Sequence, residues 1–400
     1  MSTVHILWIL NGCGMQAGSI TGGPIRFHEI SRRWQRADAF EQTLMTTGGG
    51  EGMLRRMGCA LPIRRIRASL FARREWFRTS RFWSYLLSAA DARRTVRSLA
   101  PADAVITVSD YFCDIVPAVA IKRRHPGCRW VAWIHHQERP PRERPGNRLV
   151  NTLTWRMQQW SFRRIARHAD EAWVYDTDAG DQVRSRLIEM GMPAARVRRM
   201  LCGTDVDFIA GLPGQAKTVD AVLVGLRPNK GMHDIVPIWE EVQRLRPGTT
   251  LRLMGGMSGE QSTLAAIRER GLDRVIKVFR APGGFLEPAA YYAKLREARL
   301  LVAPSHEEGW GIIVCEAMAC GLPVVAYDLP VYRRIYGAAM RAVPCFDHAA
   351  FAGALVGVLN DSARFRALEE AGRKQSRLYA WDALADDDRL ALERICQRGP

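Results

Sequence analysis

Apolar and polar positions along this 400-residue chain repeat in one order: a short apolar run, a loop punctuated by glycine or proline, then a segment with helical spacing. Val4–Leu10 is the first apolar run, and a loop carrying Gly12, Gly14, Gly18, Gly22 and Gly23 follows it. Ile25, Phe27, Ile30 and Trp34 then recur at helical spacing. Further buried strands are predicted over Ala104–Val108, Trp130–Ile134 and Ala172–Tyr175, with helices over Asn151–His168 and Asp178–Gly191. Periodicity lapses between Gly203 and Asp220, around Gly211, Pro213 and Gly214, and then restarts. Strands at Ala221–Gly225, Leu251–Met254, Val275–Phe279, Leu300–Ala303 and Val324–Ala326 alternate with helices at His233–Leu245, Ser262–Arg270, Ala289–Glu297 and Ile312–Cys320. A last helical segment covers Ala363–Cys396. This alternation predicts an α/β fold of two successive Rossmann-like halves. The expected domains are residues 1–205, a linker at 206–220, residues 221–375, and a C-terminal helix at 376–400.

Open α/β sheets bind ligands at the carboxyl edge of their strands, so the loops after predicted strands are where chemistry is sought. The richest of them is Pro304–Gly311, where Glu308 precedes a short helix and Glu316 lies within it. Gly22-Gly23 comes just before a helix, where unbonded N–H groups and the helix dipole favour an anion; a plain β-to-α turn would look the same. The strand Trp130–Ile134 ends directly in His135-His136, and one of that pair is expected in a site. Arg227-Pro-Asn-Lys230-Gly231 is a basic loop after the first strand of the second half.

Charge separates the halves. Net charge is +17, and residues 1–205 hold 33 Lys and Arg against 18 Asp and Glu, so the remainder is close to neutral. Residues 55–97 alone carry 12 arginines and 2 acids, interleaved with Trp76, Phe77, Phe82, Trp83 and Tyr85. Basic positions alternating with aromatic anchors suit an anionic membrane surface, nucleic acid or an acidic polymer. A coding bias towards arginine on a solvated helix face is the plain alternative. The apolar runs are far shorter than the ~20 residues of a membrane span, and Val4–Leu10 lacks the basic flank of a signal peptide. Nine scattered cysteines with no Cys-x-x-Cys pair predict reduced thiols in a cytoplasmic protein. No His/Cys group has zinc-ligand spacing, and no metal is expected.

Pro304-Ser305, Glu308-Gly309-Trp310-Gly311 and Glu316-Ala317-Met318-Ala319-Cys320-Gly321-Leu322-Pro323 together resemble the signature of the retaining nucleotide-sugar glycosyltransferases of family 4. Trp310 stands where that family usually has Phe. Other matches follow in order: the Gly22-Gly23 loop, His135 after a strand, Gly203-Thr204-Asp205 at the domain junction with Cys202 in place of Asn, Gly225 to Lys230-Gly231 as a phosphate loop, and Tyr379-Ala380-Trp381 at the final helix. One position departs: Leu226 occupies the usual Arg site, with Arg227 one step on, so Lys230 is the firmer phosphate ligand.

The resemblance implies a GT-B fold, two Rossmann-like domains facing across a cleft with the last helix crossing back to the first. It implies a nucleotide-diphosphate sugar as co-substrate and no metal cofactor. Glu308 would hold the transferred sugar's hydroxyls and Glu316 the ribose. Gly22, Gly23, Arg227, Lys230, Gly309, Trp310, Gly311 and Ile312 would serve the donor, with Arg280 near the base. His135 would contact the donor sugar and His136 the acceptor. Eight positions separate the glutamates, up to ~12 Å along a helix, against the ~5 Å of a retaining glycosidase's carboxylate pair. They are therefore expected to hold two ends of one donor rather than to share acid and nucleophile roles. The expected reaction is same-face transfer to a saccharide or lipid-linked hydroxyl in bacterial polysaccharide, lipopolysaccharide or glycolipid assembly, at or near the inner membrane face. A nucleotide-sugar epimerase or phosphorylase of the same fold is the alternative, and a nucleic-acid-binding protein a distant one; no nucleic acid partner is expected.

Overall fold

The computed structural model describes residues 3–12, 22–69, 81–144, 146–257, 261–281, 284 and 286–397. It divides into two compact units, residues 1–201 with 382–400, and residues 202–381. Part of the basic window at 55–97, residues 70–80, lies outside the described residues, as do Gly14 and Gly18.

In the first unit the described strands form one parallel sheet in the order β3-β2-β1-β4-β5-β6-β7. They are β1 (His5–Leu10), β2 (Glu41–Thr46), β3 (Ile63–Arg65), β4 (Ala104–Thr107), β5 (Arg129–Ile134), β6 (Glu171–Tyr175) and β7 (Val197–Met200). Central strands covered on both faces need apolar side chains at nearly every position. β1, β4, β5 and β6 meet that demand and were legible in the sequence. The short edge strand β3 carries two exposed arginines and β2 begins exposed, so neither shows as an apolar run. Trp8 packs edge-on against Phe27 and Trp133, and Trp133 in turn stacks on Trp173.

The helix Trp381–Gln397 completes this unit through its residues from Asp382 onward. Arg26 donates to Asp388 at 2.5 Å and to the Leu201 carbonyl at 2.8 Å, and its guanidinium lies 4.2 Å from the Trp133 ring centre. Arg33 donates to Asp382, and the Trp34 indole N–H to the Ala385 carbonyl. Burial pushes the Asp388 carboxyl up, and Arg26 opposes that shift.

The second unit is a parallel sheet in the order β10-β9-β8-β11-β12-β13. Its strands are β8 (Val219–Leu226), β9 (Leu251–Met257), β10 (Ile276–Phe279), β11 (Ala298–Ala303), β12 (Val324–Tyr327) and β13 (Arg341–Val343). The sequence expectations placed all of these except the edge strand β13. Residues 206–220, expected as linker, contain a helix at Val206–Gly211 and the first residues of β8, and cluster with this unit. The chain divides after Trp381 rather than at residue 376. Strand order reverses direction between β1 and β4 in one sheet and between β8 and β11 in the other, and such switch points are where open sheets bind ligands.

Removing one partner of a buried ion pair strands the other charge, at about 3–5 kcal/mol. Asp388→Ala is therefore expected to lower the unfolding free energy by roughly 3 kcal/mol or more, read from denaturant titration.

Candidate active site

In the second unit, β11 ends at Ala303 and the helix Ile312–Ala319 begins after Gly311. Gly311 has φ +85°, and a Cβ there would stand 2.6 Å from Tyr332 Cε1, so this position requires glycine on both counts. Its carbonyl accepts the Tyr336 hydroxyl at 2.9 Å, which fixes the start of the helix. The indole of Trp310 is buried between Tyr336 and Tyr379, at ring distances of 5.7 and 5.1 Å. The Trp310 side chain thus serves as core that holds the loop down. Its neighbour Gly309 is exposed.

The Glu308 carboxylate is 7% exposed. Its Oε1 accepts from Ser305 Oγ at 3.0 Å and from the Tyr332 hydroxyl at 3.2 Å, and pairs with the Lys230 ammonium. Burial, then the nearby Glu308, pushes the Tyr332 phenol well above its ordinary value, so it stays a donor. Glu316 is half-buried; Oε2 accepts from the Tyr291 hydroxyl at 2.9 Å and Oε1 from Tyr292 at 3.3 Å. Tyr291 too is pushed up, by burial first and then by Glu316. The structure thus joins Lys230 and Glu308 directly and gives each glutamate its own hydroxyl donors. Tyr291, Tyr292 and Tyr332 were not anticipated from sequence, and Ser305, part of the signature, was given no role; Tyr291-Tyr292 lies in a helix already expected, but nothing in its spacing points at Glu316.

Lys230 ends the turn Pro228–Lys230 after β8. Leu226, at the position where an arginine was looked for, is 1% exposed and belongs to the core beneath the loop. Arg227 begins the turn with its side chain half-exposed and makes no hydrogen bond or ion pair with a described residue beyond its backbone. Arg280 is exposed just after β10.

In the first unit, Gly22 opens the helix Gly22–Arg36, three residues before the expected start. A Cβ on Gly23 would lie 2.7 Å from His135 Nε2, so glycine is what lets helix and histidine meet. His135 Nε2 is 2.6 Å from the Val108 carbonyl. A carbonyl only accepts, so Nε2 carries the hydrogen and Nδ1 is left as an acceptor. Nδ1 is buried and has no partner among the described residues. Burial pushes the imidazole down to about 4, with His136 and Arg26 adding to the effect. His136 is exposed, and its carbonyl accepts from Gln158, which also donates to Asp110 at 2.8 Å.

Beneath this edge Asp114 accepts from the Asn11 N–H at 2.6 Å and from Ser109 at 2.5 Å, and burial raises it to about 7. Sequence reasoning passed over Asp110, Asp114 and Gln158 because each lies inside or beside a strand or helix with no motif around it. Among the described residues no group of three His, Cys, Asp or Glu is arranged to hold a metal ion, and their cysteines are free thiols.

With this geometry in place, the comparisons with known proteins are specific. Residues 217–375 match the family described as glycosyl transferases group 1. A phosphatidyl-myo-inositol mannosyltransferase of Mycobacterium leprae is 31% identical over 194 residues, 48% of this chain and 50% of that protein. The chain spans about half the length of the curated relatives it matches. Among solved structures, a sucrose-phosphate synthase from Thermosynechococcus elongatus superposes with TM-score 0.70 at 18% identity, over 98% of this chain and 99% of that one. Anabaena HepE in complex with UDP and glucose gives TM-score 0.69 at 15% identity, over 97% and 99%. The fold is therefore the two-domain α/β architecture of the GT-B glycosyltransferases, and residues 217–375 form a glycosyl transferases group 1 domain.

The low value at His135 has a stability consequence. The native state refuses a proton that the unfolded chain takes up near pH 6.5, so stability is lost as pH falls from about 6.5 towards about 4. Asp114 acts in the opposite sense, holding its proton up to about pH 7 and losing stability as pH rises from about 4 to about 7. His135→Gln removes the first effect alone. Between pH 6.5 and 4.5 the variant should gain stability relative to wild type, measured by denaturant unfolding at both pH values.

Proposed function

We propose that this protein is a retaining glycosyltransferase that moves a sugar from a nucleotide-diphosphate sugar to an acceptor hydroxyl. The observation that carries this is the pair of carboxylates at the carboxyl edge of β11. Glu308 is tied to a lysine, a serine and a tyrosine, and Glu316 is held by two tyrosyl hydroxyls, eight positions along. In the proposed roles Lys230 neutralises the diphosphate, and the N–H groups from Gly311 to Ile313 at a helix start add backbone donors. Glu308 holds hydroxyls of the transferred sugar and Glu316 those of the ribose. Gly22, Gly23, Arg227 and Arg280 are assigned to the donor, His135 to the transferred sugar and His136 to the acceptor.

The chemistry follows from what is at hand. In the proposed step the departing diphosphate takes the acceptor's proton on the face it leaves. The developing sugar cation is stabilised by fixed charges in place before reaction. This uses no metal ion. His135, with Nδ1 an acceptor in its favoured tautomer, would receive a hydroxyl hydrogen from the sugar rather than give one.

Mannosyltransferase and inositol-phosphate glycosyltransferase relatives, and neighbours solved with UDP or a UDP-sugar, support a nucleotide-sugar donor. They also favour a polysaccharide or glycolipid product. For the acceptor side we propose a saccharide or lipid-linked substrate met at an anionic membrane, through the arginine-rich residues 55–97. No helix among the described residues is long and apolar enough to cross a membrane, so this contact would be peripheral. Binding to vesicles containing anionic phospholipid should fall steeply as salt rises and be lost on Arg73/Arg74/Arg78→Glu. Binding that persists would remove the membrane contact and leave the transferase.

The central test is a thermal-shift panel of UDP, GDP and ADP with their sugars. One nucleotide should raise the melting temperature, and Glu316→Ala should abolish most of that rise; affinity is expected to fall ~10-fold or more. A panel without any shift would exclude the donor site. Donor turned over to an isomer without acceptor would move the assignment to an epimerase.

A further inference from the structure

We propose that His306 and Asp234 form a positioning pair that registers Lys230 against Glu308; the inference rests on the donor-site assignment above. Lys230 and Glu308 belong to different loops, one after β8 and one after β11, so their separation depends on what joins those loops. Three backbone features do part of this. The His306 N–H donates to the Asn229 carbonyl at 2.9 Å, and the Asp234 N–H to the Gly231 carbonyl at 3.1 Å. Gly231 has φ +72°, and a Cβ there would stand 1.9 Å from the Pro304 carbonyl oxygen, so the two loops touch where no side chain fits.

The side-chain link is His306 to Asp234. His306 Nε2 lies 3.0 Å from Asp234 Oδ2, and the same oxygen accepts the Tyr327 hydroxyl at 2.7 Å from the end of β12. His348 Nε2 stands 3.6 Å from it. The His306 ring is confined by Phe346, at 4.7 Å, and by Tyr327, at 6.3 Å. Phe346 holds φ +65°, a conformation disfavoured for an aromatic residue. His306 is two residues before Glu308, and Asp234 is four residues after Lys230. Losing this link would therefore leave the ammonium less well placed against the carboxylate. None of these groups was singled out by the sequence, and none is needed to contact donor; they act through Lys230.

A residue acting through Lys230 should affect the second phosphate and little else. We would measure dissociation constants for UDP against UMP, or for GDP against GMP or ADP against AMP, whichever pair binds wild type. His306→Ala is expected to weaken the diphosphate ~10-fold while leaving the monophosphate within ~2-fold. Lys230→Ala should do the same, and the double variant should be no weaker than Lys230→Ala alone, the non-additivity of groups acting as a unit. His306→Gln, which can still donate to Asp234, should restore most of the affinity. Asp234→Asn reads the same ratio should the alanine variant not fold. Equal weakening of mono- and diphosphate, or effects that multiply in the double variant, would overturn the positioning role and leave the donor site standing. Failure of every nucleotide to bind wild type would overturn the donor site and this inference with it.

Discussion

One carboxylate oxygen, Glu308 Oε1, gathers donors from three separate pieces of chain: Lys230 after β8, Ser305 after β11, and Tyr332 in the helix Pro330–Ile335. A charge this buried is tolerated only when it is both paired and hydrogen-bonded. Satisfying it ties two loops and a helix together. Gly231 against Pro304, Gly311 against Tyr332 and Trp310 wedged between tyrosines are the packing conditions under which that convergence can occur. The edge of this sheet is thereby held by its own side chains, the fixed arrangement that the proposed stabilisation of a charged transition state would use.

The first unit solves a related problem with different chemistry. Its edge is lined by groups whose charge is suppressed: Asp114 raised by burial and His135 lowered by it. Hydrogen-bonded neutral or shared-proton groups can be packed against glycine and backbone where a full charge could not. The tautomer of His135 follows from the Val108 carbonyl alone, and it turns a residue of ambiguous role into an acceptor.

Much of the fold was legible because buried parallel strands are apolar at nearly every position, so β1, β5, β6, β8 and β11 announce themselves. Edge strands β3, β7 and β13 were not, since a strand with one neighbour can carry arginines in place of an apolar run; β10, also at an edge, was placed. Glu308, Glu316, Lys230 and His135 stood out by their place beside turn residues or at a strand's end, and the resemblance supplied their roles. Their partners did not stand out. In the second unit Tyr291 meets Glu316, Tyr332 meets Glu308 and Asp234 meets His306, and in the first Gln158 meets Asp110; each pair is distant in sequence, and only tertiary contact reveals it. Trp310 shows the converse: a residue within the motif whose side chain serves packing. Leu226, where the resemblance looks for an arginine, lies in the core, and Arg227 stands one step on.

The central claim is that the nucleotide-sugar donor binds at the carboxyl edge of β8 and β11, on the elements joined through Glu308. Amide hydrogen exchange with and without saturating UDP tests this most directly. The account predicts slowed exchange concentrated in residues 225–231 and 304–316, with the amides at the start of the helix Ile312–Ala319 among the most protected. Protection confined to other segments, with those two loops exchanging as in the free protein, would contradict it.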